Sequence, residues 1–199
     1  MEISASLVKE LREKTGLGLM DCKKALAETE GDMQKAIDYL RTKGALKAAK
    51  REGRATSEGR VGSYIHMNGK IGVLLELNCE SDFVAKTEQF AGLLKDLCMQ
   101  IAASAPRWIG AADVPEDIVI KEKEIYMQQA KEAGKPDKML DKIAEGKLKK
   151  FYSETCLLDQ PFVKEDSKTV GELIKEKIAQ LGENITVGRF TRYQLGQAD

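Results

Sequence analysis

Between residues 3 and 44 the apolar positions recur at helical spacing. Ile3, Leu7, Val8 and Leu11 line one helix, and Met33, Ala36, Ile37 and Leu40 line another in the i, i+3, i+4, i+7 pattern. Thr15-Gly16-Leu17-Gly18 breaks the first helix. Gly31-Asp32 ends a second one and offers Asp32 as the cap of the third. Three amphipathic helices in so short a span predict a small bundle, because each must bury its stripe against the others.

The period then shortens. Val61 to Met67 and Ile71 to Asn78 are β-rich runs joined by Asn68-Gly69-Lys70, where an Asn-Gly pair suits a tight hairpin. The second run is apolar at Ile71, Val73, Leu74, Leu75 and Leu77, which predicts cover on both of its faces. From Thr87 to Ser104 the helical period returns through Phe90, Leu93, Leu94, Leu97, Cys98 and Ile101, with Pro106 just past the end. Residues 116–133 and 137–156 read as two charged helices separated by Gly134-Lys135-Pro136. Residues 169–182 read as another, through Val170, Leu173, Ile174, Ile178 and Leu181, and Ile185 to Leu195 as a last strand. One hairpin, several helices and a returning strand define an α+β class: a helical bundle, then a core with a small antiparallel sheet packed by helices.

Charge refines this division. The 32 Lys and Arg cancel the 32 Asp and Glu, so no net field draws the 199-residue chain to a polyanion, and a dedicated DNA binder is disfavoured. Locally, residues 41–60 hold seven basic residues against two glutamates. We read this as a solvated linker and place the boundary there, with a bundle and basic linker at 1–54 and the α+β core at 55–199. RNA contact is the sharper alternative, although no aromatic residue is interleaved to stack a base. No apolar run approaches the roughly 20 residues of a membrane helix, and the N-terminus has no signal-peptide character. A cytoplasmic protein without a membrane partner is expected.

Chemistry is sparse. Cys22, Cys79, Cys98 and Cys156 lie far apart, with His66 the sole histidine, so metal-ligand spacing is absent and the thiols read as small buried hydrophobes. There is no phosphate loop, dinucleotide fingerprint, H-E-x-x-H or G-x-S-x-G. No catalytic residue, metal or cofactor is assigned, and the chain is not expected to be an enzyme. His66 reads as a surface or interface imidazole, since no Ser, Cys or Asp motif supplies a partner.

One segment stands out: Glu76-Leu77-Asn78-Cys79-Glu80-Ser81-Asp82-Phe83-Val84-Ala85-Lys86, where an apolar strand ends in a polar turn before a helix. In one reading Ser81 or Asp82 caps the helix and Phe83 folds back as a hydrophobic staple. In the other, Asp82 and Phe83 project from the corner into a partner.

This segment and Leu11-Arg12-Glu13-Lys14-Thr15-Gly16-Leu17-Gly18-Leu19-Met20-Asp21-Cys22-Lys23-Lys24-Ala25-Leu26 together resemble the two signature motifs of the elongation factor Ts family, guanine-nucleotide exchange factors of bacterial translation. Gln160-Pro161-Phe162-Val163-Lys164-Glu165-Asp166-Ser167-Lys168-Thr169-Val170-Gly171 is similar to the family's C-terminal part. The resemblance implies a bundle similar to ubiquitin-associated domains, and elongation factor Tu, a GTPase, as partner. It implies that Asp82 and Phe83 form a wedge that loosens the partner's Mg²⁺ and GDP. It also implies that Arg12, Leu19, Met20 and Lys23 face the partner, although Leu19 and Met20 equally suit the bundle core. His66 and Val163 are implied as further contacts. Ser81 stands where Thr is usual, and Lys164 where Met is frequent.

The longest family members carry a second core subdomain and a helical hairpin, neither of which is found in this sequence. Pairing of two copies through their sheets, giving a homodimer, is the corresponding expectation. A ubiquitin-associated-like adaptor and an RNA-binding accessory protein are the alternative functions, and no direct nucleic-acid contact is expected.

Overall fold

A computed structural model describes residues 3–197. The chain divides into two compact units. One comprises the chain up to Val61 with Glu76–Leu94 and Leu173–Gly188. The other comprises Gly62–Leu75, Lys95–Glu172 and the chain from Arg189 on.

The first unit opens with α1 (Ala5–Thr15), α2 (Leu19–Glu28) and α3 (Met33–Ala49). Ser4 caps α1 by accepting the Leu7 N–H, and Asp32 caps α3 by accepting the Lys35 N–H at 2.9 Å. Gly16 ends α1 in the left-handed conformation, φ 65°, which lets its N–H reach the Arg12 carbonyl at 2.8 Å. The bundle core is Val8, Leu11, Cys22, Ala25, Leu26, Ala36 and Leu40, with Ile3, Leu7, Met33 and Ile37 packed around it. The period-3.6 stripes therefore fall where the pattern placed them.

The basic stretch is not linker throughout. Helix α3 runs through Arg41, Lys43 and Lys47 to Ala49, because Ala45, Leu46, Ala48 and Ala49 favour helix, and residues 50–53 form a turn after it.

Strands β1 (Glu58–Ile65), β2 (Ile71–Cys79) and β5 (Ile185–Gln194) form a three-stranded antiparallel sheet in the order β1-β2-β5. At the hairpin the His66 N–H donates to the Ile71 carbonyl at 2.9 Å and the Gly69 N–H to the His66 carbonyl at 2.7 Å. The connection thus takes in residues 66–70 rather than Asn68-Gly69-Lys70 alone. Gly69 alone in it takes a positive φ, 67°, and Asn68 instead accepts the Lys70 N–H through its side chain.

Cover on both faces of β2 is not observed. Val73, Leu75, Leu77 and Cys79 are buried, whereas Leu74 is 51% exposed on the face that carries Gly72, Glu76 and Asn78. The continuous apolar run masked an ordinary one-sided strand.

In the second unit, α6 (Glu116–Glu132) and α7 (Asp137–Thr155) pack together as a helical hairpin across Gly134-Lys135-Pro136, contrary to the expectation that none is present. Read singly, each helix looked like a charged surface helix. Only Ala130 in α6 and Leu140, Ala144 and Leu148 in α7 are buried, too few to mark a seam in the sequence. The pattern also missed a short hairpin of β3 (Pro161–Phe162) and β4 (Glu165–Thr169), too brief to show a period. Buried Gln100 fastens it: its Oε1 accepts the Val163 N–H at 2.8 Å, and its Nε2 donates to Gln160 at 3.1 Å and to the Pro161 carbonyl at 3.2 Å.

Candidate functional site

Strand β2 ends at Cys79, and the chain turns through Glu80 and Ser81 into a single helical turn, α4 (Asp82–Ala85), before α5 (Glu88–Ser104). The turn begins because Ser81 is extended, φ −133° and ψ 156°, and its hydroxyl oxygen accepts the Val84 N–H at 3.4 Å. Ala85 is the buried residue of α4 and anchors its inner side.

Phe83 is 80% exposed. The staple reading is therefore wrong: with Ala85 directed inward, the ring at position 83 is turned away from the core. Asp82 lies beside it and accepts a 2.6 Å bond from Lys86 Nζ one turn on. That bond and the ammonium charge hold the Asp82 carboxyl below its ordinary value of 3.8, and the same bond with the carboxylate charge raises Lys86 above 10.5. The corner thus presents an aromatic face beside a paired, solvent-exposed carboxylate.

Two carboxylates brace the corner from below. Glu183, between α8 (Val170–Leu181) and β5, accepts the Ser81 N–H at 2.9 Å on one oxygen and the Ser81 hydroxyl at 2.6 Å on the other. Glu80 accepts the Asn184 N–H at 2.6 Å and pairs with Arg54 at 3.4 Å, and these contacts hold its carboxyl below 4.5. Asn184 in turn donates to the Arg54 carbonyl at 2.9 Å. Glu183 was not legible as part of the site, and neither was the bracing role of Glu80, because the contacts Ser81–Glu183 and Glu80–Asn184 span more than 100 residues with no local motif.

Arg12, Leu19, Met20 and Lys23 sit on α1 and α2 in the same unit, all exposed, with Leu19 at 51% and Met20 at 72%. The core reading of Leu19 and Met20 is excluded. Cys22, Ala25 and Leu26 fill the inward positions of α2 instead.

His66 and Val163 belong to the second unit. His66 is exposed just past the end of β1, with its Nδ1 3.2 Å from the Tyr64 hydroxyl. Val163 is exposed in the β3-β4 turn, beside Lys164, which pairs with Asp96 at 2.7 Å. The four cysteines are free and buried, and burial pushes the Cys98 thiol up to about 11. Among the described residues no cluster of three or more His, Cys, Asp or Glu could hold a metal, and no helix is long and apolar enough to cross a membrane.

Fold and corner define an α+β protein with an N-terminal helical bundle and an outward-facing acid–aromatic pair. Comparison with known proteins makes this specific. The family described as Elongation factor TS matches residues 17–197. An elongation factor Ts of Anaeromyxobacter sp. (strain Fw109-5) is 58% identical over 98% of this chain and 90% of its own length. Those of Moorella thermoacetica (58%; 98% and 96%) and Fervidobacterium nodosum (56%; 99% and 100%) are similarly close. The chain belongs to the elongation factor Ts family, a family of translation elongation whose role is nucleotide exchange on elongation factor Tu.

Proposed function

We propose that this chain, in the cytoplasm, binds elongation factor Tu and speeds GDP release by pressing Asp82 and Phe83 into the GTPase's Mg²⁺ and phosphate site, so that GTP can rebind. The observation that carries the reading is the exposure of Phe83 on a braced turn. A large apolar ring in water gains by entering a partner, and a braced turn loses little entropy in doing so.

The exchange step forms and breaks no covalent bond. GDP is held by Mg²⁺ with oxygen ligands and by backbone N–H groups around its phosphates, so an intruding ring and a competing carboxylate weaken both. Asp82 can act because its pair with Lys86 lies at the surface, with the two side chains 47% and 73% exposed, and water replaces the lost bond. By linkage, a factor that binds the nucleotide-free GTPase better than the GDP form is itself released when nucleotide returns.

Arg12, Leu19, Met20 and Lys23 hold the partner's GTPase domain in this reading, and His66 and Val163 add contacts from the core. The proposal includes a homodimer through the open sheet face. Ile65 and Leu74, 65% and 51% exposed, supply apolar surface there, and an Ile65 methyl lies against Gly72 on that same face.

Stopped-flow release of fluorescent GDP from elongation factor Tu tests the wedge. The intact chain accelerates release. Phe83→Ala loses roughly thirtyfold of that rate, the loss of an aromatic hot spot worth about 2 kcal/mol, and Asp82→Ala is slowed in the same direction. Both variants matching the parent would end the wedge assignment. For the dimer, sedimentation at micromolar concentration showing a monomer with full exchange activity would reject pairing.

A further inference from the structure

The orientation of Phe83 is not set by its own contacts. An 80%-exposed ring touches little, and a four-residue helix has too few hydrogen bonds to offset the cost of nucleating itself. Its direction is therefore set by the backbone that enters α4, and that backbone is held at Ser81. Both donors of Ser81, its N–H and its hydroxyl, end on the single carboxylate of Glu183, at 2.9 and 2.6 Å. While the hydroxyl donates to Glu183, its oxygen accepts the Val84 N–H at 3.4 Å and starts the helical turn. The brace is crossed: Glu80, one residue before Ser81, reaches back to the N–H of Asn184, one residue after Glu183. Bonds to an ionised carboxylate are about twice as strong as neutral ones.

We infer that Glu183 is a positioning residue for nucleotide exchange: it holds Ser81 so that Phe83 points outward, and it acts on the exchange rate only through that ring. The inference rests on the wedge reading above. It assigns no contact between Glu183 and the partner.

The test is a double-mutant cycle on GDP release from elongation factor Tu, using the full chain, its Glu183→Ala and Phe83→Ala variants and the double variant. Glu183→Gln serves as a second probe, because it keeps the shape and one acceptor if the alanine variant fails to fold. Thermal unfolding checks each fold. The saturating release rate of Glu183→Ala falls on the order of tenfold, as expected for losing bonds to a charged acceptor. The chain concentration at half-saturation changes little, because Arg12, Met20 and their neighbours still dock. Glu183→Gln falls between parent and alanine.

In the Phe83→Ala background, removing Glu183 has no further effect. Equal effects in both backgrounds, a rise in half-saturation without a rate change, or a Glu183→Ala variant as fast as the parent would each overturn the inference while leaving the wedge in place. A Phe83→Ala variant as fast as the parent overturns the wedge, and the inference with it.

Discussion

Replacing Phe83 by alanine separates a functional ring from a structural one through stability alone. With 80% of Phe83 exposed, about one fifth of a ring of roughly 200 Å² is covered, or about 40 Å². At about 25 cal/mol per Å² that burial stabilises the fold by ~1 kcal/mol. Alanine returns up to about 0.5 kcal/mol through its better helix propensity. The net cost is under about 1 kcal/mol, a midpoint shift of less than about 4 °C for a chain of this size.

Phe90, seven residues on and fully buried, is the internal comparison: Phe90→Ala costs about 3–5 kcal/mol. Urea and thermal unfolding of the two variants, with parent slopes checked for equality, measure both. Should Phe83→Ala prove as destabilising as Phe90→Ala, the ring is part of the core, and the reasoning that turns it towards a partner is refuted.

Three further outcomes follow from the same geometry. Gly59 and Gly53 both have positive φ, 151° and 85°, but a Cβ at Gly59 would lie 2.3 Å from the Leu77 carbonyl oxygen, whereas Gly53 has open space. Gly59→Ala therefore unfolds the chain or costs several kcal/mol, and Gly53→Ala costs only the conformational ~1 kcal/mol, as denaturant midpoints will show. All four thiols are buried, and those of Cys79, Cys98 and Cys156 are raised chiefly by burial, so the native chain reacts slowly with a thiol reagent at pH 8 and releases all four on unfolding. Because the Asp82 carboxyl is depressed in the folded state, its pair with Lys86 stabilises above the ordinary value and is lost as pH falls through the depressed one. An NMR titration of Asp82 has its midpoint below 3.8, and Lys86→Ala moves it up.

Helical periodicity was the most legible feature of the sequence, since a stripe such as Met33, Ala36, Ile37 and Leu40 reports burial directly. It failed where burial depends on a distant element. Leu74 looked internal because the run around it is apolar, yet nothing within the run tells how many faces of a strand are covered. The pairing of α6 with α7 was hidden by their charge. At the site, Asp82 and Phe83 could be named from the chain alone, but the direction of the ring could not. It depends on Ser81 meeting Glu183, a contact spanning 102 residues.

Position 83 itself offers the most direct test. A Phe83→p-benzoylphenylalanine chain, irradiated with elongation factor Tu and digested, reports by mass spectrometry what the ring touches. The account expects a single major cross-link to the partner's segment around the nucleotide phosphates and Mg²⁺. Cross-links confined to other regions, or none from a chain that still accelerates GDP release, would contradict it.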